Sequence, residues 1–117
     1  MQVKSKVNFV GYVGVSPLGS LEETAVVIGK LLGLNFEEDK SGYYQEFPAF
    51  CAEVLGMKLA LLGIPDEDMS LSDEPIDYFE LQLSTLSKSG LEGKTDLSEY
   101  LVDILSGDAS VKCWVLD

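Results

Sequence analysis

The sequence predicts an α+β fold. One mainly antiparallel sheet carries two or three helices on a single face, and residues 1–117 form one domain. Three observations lead there. Several segments alternate apolar and polar residues, which is the period of a half-buried strand. Two others carry apolar residues at helical spacing, each behind a cap pattern and ahead of a glycine. The 117 residues, 46% of them apolar, supply one core but not two. The expected order is β-α-β-β-(α)-β-β-α-β.

Residues 3–13 open the chain as a strand. Val7, Phe9, Gly11 and Val13 fall on one side; Lys6, Asn8, Val10 and Tyr12 fall on the other. Ser16-Pro17-Leu18-Gly19 is a turn. Ser20-Leu21-Glu22-Glu23 then has the form of a capping box, in which the Ser20 hydroxyl accepts from the Glu23 backbone and the Glu23 carboxylate reaches back. Leu21, Ala25, Ile28 and Leu32 give a helix over 21–32, and Gly33 is placed to end it in a left-handed conformation.

Asp39-Lys40-Ser41-Gly42 separates two short β-like runs, so a hairpin is expected to pair 34–39 with 42–47. For residues 48–55 the expectation is a short helix opened by Pro48 and ended by Gly56. The alternative is two strands broken at Gly56. Residues 57–62 form a mostly apolar, central strand. A loop bounded by Pro65 and Pro75 follows, and its length marks it as functional. Residues 76–86 alternate with Phe79, Leu81 and Leu83 inward and Tyr78, Glu80 and Gln82 outward. After a turn at 87–90, Asp96-Leu97-Ser98-Glu99 repeats the cap pattern, Leu97, Leu101, Ile104 and Leu105 give an apolar helix face, and Gly107 is the stop signal. Residues 109–116 close the sheet. If these phases hold, the helix-free face presents Tyr12, Tyr78, Trp114 and acidic groups.

Composition excludes several functions. The chain has 20 acids against 8 basic residues and no histidine, for a net charge of −12; all of the basic residues are lysine. Nothing here neutralises a run of phosphates, so nucleic acid is excluded as a partner, and anionic membranes likewise. Without histidine there is no Ser-His or Cys-His base and no imidazole metal ligand. Without arginine there is no bidentate anion clamp. Cys51 and Cys113 match no metal spacing and read as buried free thiols, with a disulfide as the alternative. No apolar h-region follows Met1–Val7 and no stretch is long enough to span a bilayer, so a cytoplasmic protein is expected.

Other chemistry finds little support. Glu37 and Glu38 are adjacent on a strand and point to opposite faces, which disfavours a carboxylate dyad. Gly11-Tyr12-Val13-Gly14-Val15-Ser16 superficially resembles a dinucleotide loop but lacks the third glycine. Counted as a calcium loop from Asp66, position six is Leu71 rather than glycine. No catalytic residue, metal or cofactor is expected.

The charge distribution is the strongest signal. Between Leu59 and Ser87 lie Asp66, Glu67, Asp68, Asp73, Glu74, Asp77 and Glu80, with no lysine. Such concentration costs self-repulsion, which a cationic partner relieves. Tyr43 and Tyr44 sit beside a second acidic cluster, and Tyr78 beside Asp77. Tyrosine provides contact area at small entropic cost. The expected partner surface is therefore Asp66, Glu67, Asp68, Asp73, Glu74 and Asp77 with Tyr43, Tyr44 and Tyr78 as anchors.

In this overall character the chain resembles the small acidic immunity proteins of bacterial toxin–immunity pairs, especially those of contact-dependent growth inhibition. The resemblance implies a non-enzymatic protein that binds a cognate basic toxin domain, often a nuclease, as a monomer. The acids would stand in for substrate phosphates. The alternative is another interaction module: a secretion chaperone, a phage nucleic-acid mimic or an assembly subunit.

Overall fold

The computed structural model describes residues 8–41, 43–44, 47–64, 77–85 and 94–116. The elements run β1 (Asn8–Val15), α1 (Leu21–Leu32), β2 (Glu37–Glu38), β3 (Ala49–Val54), β4 (Met57–Leu62), β5 (Phe79–Thr85), β6 (Lys94–Asp96), α2 (Ser98–Leu105) and β7 (Cys113–Val115). The sheet order is β2-β3-β4-β5-β1-β6, and β7 also pairs with β1. All pairings are antiparallel except β1 with β6. The α+β architecture is the expected one.

Alternation decides the two faces. Val13 and Val15 of β1, Leu59 and Leu61 of β4, and Phe79, Leu81 and Leu83 of β5 form one cluster with Ala25 and Ile28 of α1 and Leu101 and Leu105 of α2. Both helices therefore cover the same side of the sheet. Ile28, Leu61, Leu81 and Leu105 have no solvent exposure. Burying one such side chain is worth about 1.5–3 kcal/mol.

The first helix forms as its sequence dictates. Ser20 Oγ accepts from the Glu23 backbone at 3.1 Å and Glu23 Oε1 accepts from the Ser20 backbone at 2.8 Å. That backbone hydrogen bond, helped by the Ser20 hydroxyl, holds the Glu23 carboxyl below its ordinary range. Gly33 ends the helix at φ 73°.

Four expectations are corrected. Residues 49–54 form strand β3, not a helix. Its signals serve other ends: the Pro48 carbonyl accepts from the Gly63 backbone at 2.7 Å, extending the β3–β4 ladder, and Gly56 sits in the hairpin turn. Of residues 34–39, expected to pair with 42–47, Glu37 and Glu38 pair with Cys51 and Phe50. The Asp39 carboxylate accepts from the Ser41 backbone and hydroxyl at 3.1 and 3.0 Å, turning the chain, and β2 pairs with β3 instead. Helix α2 starts at Ser98 with Leu97 at the cap position; Asp96 ends β6, and its carboxylate accepts from the Ser98 backbone at 2.8 Å. The closing strand is also shorter, Cys113–Val115, because Asp108 and Ser110 hold a turn before it. Strand β6 was not expected from the sequence. The loop at 65–76 and the turn at 87–90 lie outside the described residues.

Strand β1 changes neighbours midway along one edge. Residues 8–10 pair with β6, and residues 13–15 with β7. Tyr12 falls between, and its backbone N–H donates to Ser98 Oγ at 2.9 Å. Ser98 is 1% exposed. Ser98→Ala leaves that N–H without its partner, and the expected loss is about 1–3 kcal/mol in urea unfolding. At the β3–β4 turn, Leu55 adopts φ 51° and is 90% exposed, so it holds a left-handed conformation with no compensating burial. Leu55→Asn is expected to raise the urea midpoint, by about 1 kcal/mol of stability, because asparagine tolerates this conformation.

Candidate functional site: the helix-free face of the sheet

The face opposite the helices is built from three rows set by strand register. Ala49, Leu62, Glu80, Gly14 and Trp114 make the first. Glu37, Cys51, Ala60, Gln82 and Tyr12 make the second. Glu53, Lys58, Ser84 and Val10 make the third. Apolar residues dominate near β3 and β4, and aromatic and polar ones near β5, β1 and β7.

The apolar part is capped locally. Tyr44, Phe47 and Cys51 pack with Ala49, Ala60 and Leu62 in a small second core. Tyr44 and Phe47, which lie between the Asp39 turn and β3 in the chain, are thus brought onto this face. Tyr43 and Tyr44 meet edge-to-face, with ring centroids 4.8 Å apart. The Lys58 ammonium lies 5.4 Å from both ring centroids. Desolvation pulls the Lys58 pKa down, but Tyr44, Cys51 and Asp39 outweigh it and the pKa ends raised. Burial, followed by Cys51, raises the Tyr44 phenol. Burial also raises the Cys51 thiol, the direction opposite to that of an activated thiolate. Both cysteines are free and half-buried rather than buried.

No described segment covers the rest of the face. Tyr12 is 43% exposed and Trp114 is 39% exposed. Trp114 lies flat over Gly14, its pairing partner: a Cβ at Gly14 would sit 2.4 Å from the indole. The glycine is therefore what admits the ring, as aromatic side chains cover strand glycines elsewhere. Tyr78 packs edge-to-face on Trp114 at 5.5 Å. Tyr12, Tyr78, Glu80 and Leu116 enclose a shallow groove of about 290 Å³. On the other side of Tyr12, a groove of about 340 Å³ runs between Tyr43, Tyr44, Lys58 and Gln82. Tyr12 thus joins the two. A third groove of about 570 Å³ follows the β2 edge past Glu37, Glu38, Asp39 and Glu53.

The anchors named from sequence are brought to this face. Tyr43 is exposed, and Tyr44 and Tyr78 are half-buried; Asp77, beside Tyr78, is exposed. Tyr12 and Trp114 lie on the face that strand phase assigned them. Asp66, Glu67, Asp68, Asp73 and Glu74 lie outside the described residues. The linear pattern assigns no partner-binding role to Gly14, Lys58 or Gln82. The signal for Gly14 was present, since a glycine inside an alternating strand marks a close approach, but its partner Trp114 is remote in sequence. The apparent dinucleotide loop is ordinary β1 strand, with Gly11 packed under Leu101 of α2.

Among the described residues, no cluster of three or more carboxylates and thiols is placed to hold a metal, and no helix is long and apolar enough to cross a membrane. Comparison with protein-family models and with curated proteins finds no match to either.

Gly14→Val tests how the face is built. The added side chain overlaps the indole, so Trp114 must leave the strand. As the sole tryptophan, it is expected to report this as a red-shifted emission, with a stability loss of about 1–3 kcal/mol. Unchanged emission contradicts the stacked geometry.

Proposed function

We propose that this chain is an immunity protein: a non-catalytic inhibitor that binds a basic bacterial toxin domain, of the nuclease kind, through its helix-free face. One observation carries the reading. Exposed aromatic rings stand among carboxylates on a sheet face that no described segment covers, in a chain of net charge −12. Aromatic residues supply the contact area that dominates interface energetics. The surrounding negative potential steers a cationic partner to them and rejects anionic competitors. Asp77, exposed next to Tyr78 in the chain, ends the acidic run, and Glu53 and Glu37 border the far side of the face. The toxin's substrate-binding groove, built to hold phosphates, is the complementary surface.

The test begins with the tagged chain in its source cells. At low salt it is expected to retain one basic domain in stoichiometric amount, to lose much of it at high salt, and to suppress that domain's activity. Replacing Glu37 and Glu53 together by lysine is expected to weaken binding about 100-fold. Replacing Glu22 and Asp103, on the helix side, is expected to change it little. Equal binding by both pairs of variants removes the helix-free face from the interface. A chain that retains no basic partner and elutes as a stable homodimer instead belongs to the assembly-module class.

A further inference from the structure

We infer that the groove between Tyr12, Tyr78 and Glu80 is an arginine subsite. It takes one guanidinium of a basic protein partner, stacked on a tyrosine ring and paired with the Glu80 carboxylate. The inference rests on the reading of this face as a surface for a basic domain, and it names the contact that would anchor it.

Size comes first. At about 290 Å³ the groove lies at the lower limit for small-molecule pockets, and suits a single long side chain. Its walls are chemically mixed in the way a guanidinium requires. Two phenol rings offer π faces, Leu116 offers an apolar floor for a methylene stem, and one carboxylate supplies the charge. The groove is also held in shape. Gln82 Nε2 donates to Glu80 Oε2 at 2.9 Å, which fixes the carboxylate while leaving acceptor positions open. Trp114, seated over Gly14, braces the Tyr78 ring. Tyr12 is fixed by its backbone, whose carbonyl accepts from Leu116 at 2.9 Å.

The same face carries an internal precedent. Lys58 sits over Tyr43 and Tyr44, with Asp39 close enough to favour its charged form. A cation, two tyrosines and a carboxylate are thus combined once within the chain. Tyr12, Tyr78 and Glu80 reproduce that arrangement, and the net charge of −12 makes an external cation the complementary occupant. Arginine fits better than lysine because its planar fork both stacks on a ring and pairs side-on with a carboxylate.

The test uses the full chain, labelled with nitrogen-15, and N-acetyl-arginine methylamide as the probe. Trp114 gives a single indole N–H resonance, and it adjoins the groove through Tyr78. The expected result is a saturable shift of that resonance, with the uncharged citrulline analogue and the Glu80→Gln variant each about tenfold weaker. Tyr12→Ala, an exposed position, is expected to weaken binding similarly. An indole that does not move, or an identical curve with citrulline, overturns the subsite. Tighter binding of the lysine analogue overturns its assignment to arginine. Because no partner protein is present, failure here is separable from failure of the broader reading. A basic toxin held equally by wild type, Glu80→Gln and Tyr12→Ala removes the subsite alone. Saturable arginine binding with no toxin partner in the cell keeps the subsite and removes the immunity reading.

Discussion

Two short helices lie on one side of a seven-stranded sheet, and everything else about the molecule follows from that imbalance. A sheet has two faces, and twenty or so helical residues seal only one of them. Val13, Val15, Leu59, Leu61, Leu81 and Leu83 take the sealed side. Their neighbours in sequence must take the other. The composition of the open side is therefore fixed by the same alternation that builds the core. Tyr12 faces outward because Val13 faces inward, and Glu80 and Gln82 because Leu81 does.

That open side is handled in two ways. Near β3 and β4 it is apolar, and the segment after Asp39 folds back so that Tyr44 and Phe47 cover Ala49, Ala60 and Leu62. Near β1, β5 and β7 no described segment covers it. There the chain presents rings rather than aliphatic side chains, each braced by a neighbour: Trp114 by Gly14, Tyr78 by Trp114, Tyr12 by its two backbone hydrogen bonds. Braced rings lose little freedom on binding, so their contact area converts to affinity with a small entropic cost.

Much of this was legible in the sequence where the determining contacts are local. The capping box at Ser20 and Glu23, the stop at Gly33 and the alternation of β1 and β5 depend on residues a few positions apart, and they form as read. The failures are non-local or chemically atypical. A two-residue hairpin ordinarily carries asparagine or aspartate before glycine; Leu55 before Gly56 disguises one, and Pro48 made the helix more plausible. Pairing of β2 with β3 skips a ten-residue excursion that the Asp39–Ser41 turn starts. Strand β6 has three residues and exists because β1 offers an edge. The site was read mainly from charge, since acids are visible in a linear string. The grooves are not, because Gly14, Glu80 and Trp114 become neighbours only through register.

The acids themselves divide by what they do. Glu23, Asp39, Asp96 and Asp108 each accept from a nearby serine, which lowers their pKa and sets a local turn or cap. Their stabilising contribution is present at neutral pH and declines as pH falls through those lowered values. Glu80 differs: its hydrogen bond comes from Gln82, two residues along the same strand face, and it shapes no turn. Charge acts at two ranges. Beyond about 8 Å at physiological salt the field is screened, so the overall negative charge governs how fast a cation arrives. Within a groove walled by phenol rings, screening is weaker, and there the proposed subsite would let one carboxylate discriminate a guanidinium from a neutral side chain. In the proposed complex, long-range attraction and short-range selection would therefore come from different subsets of the acids, and only the second would depend on strand register.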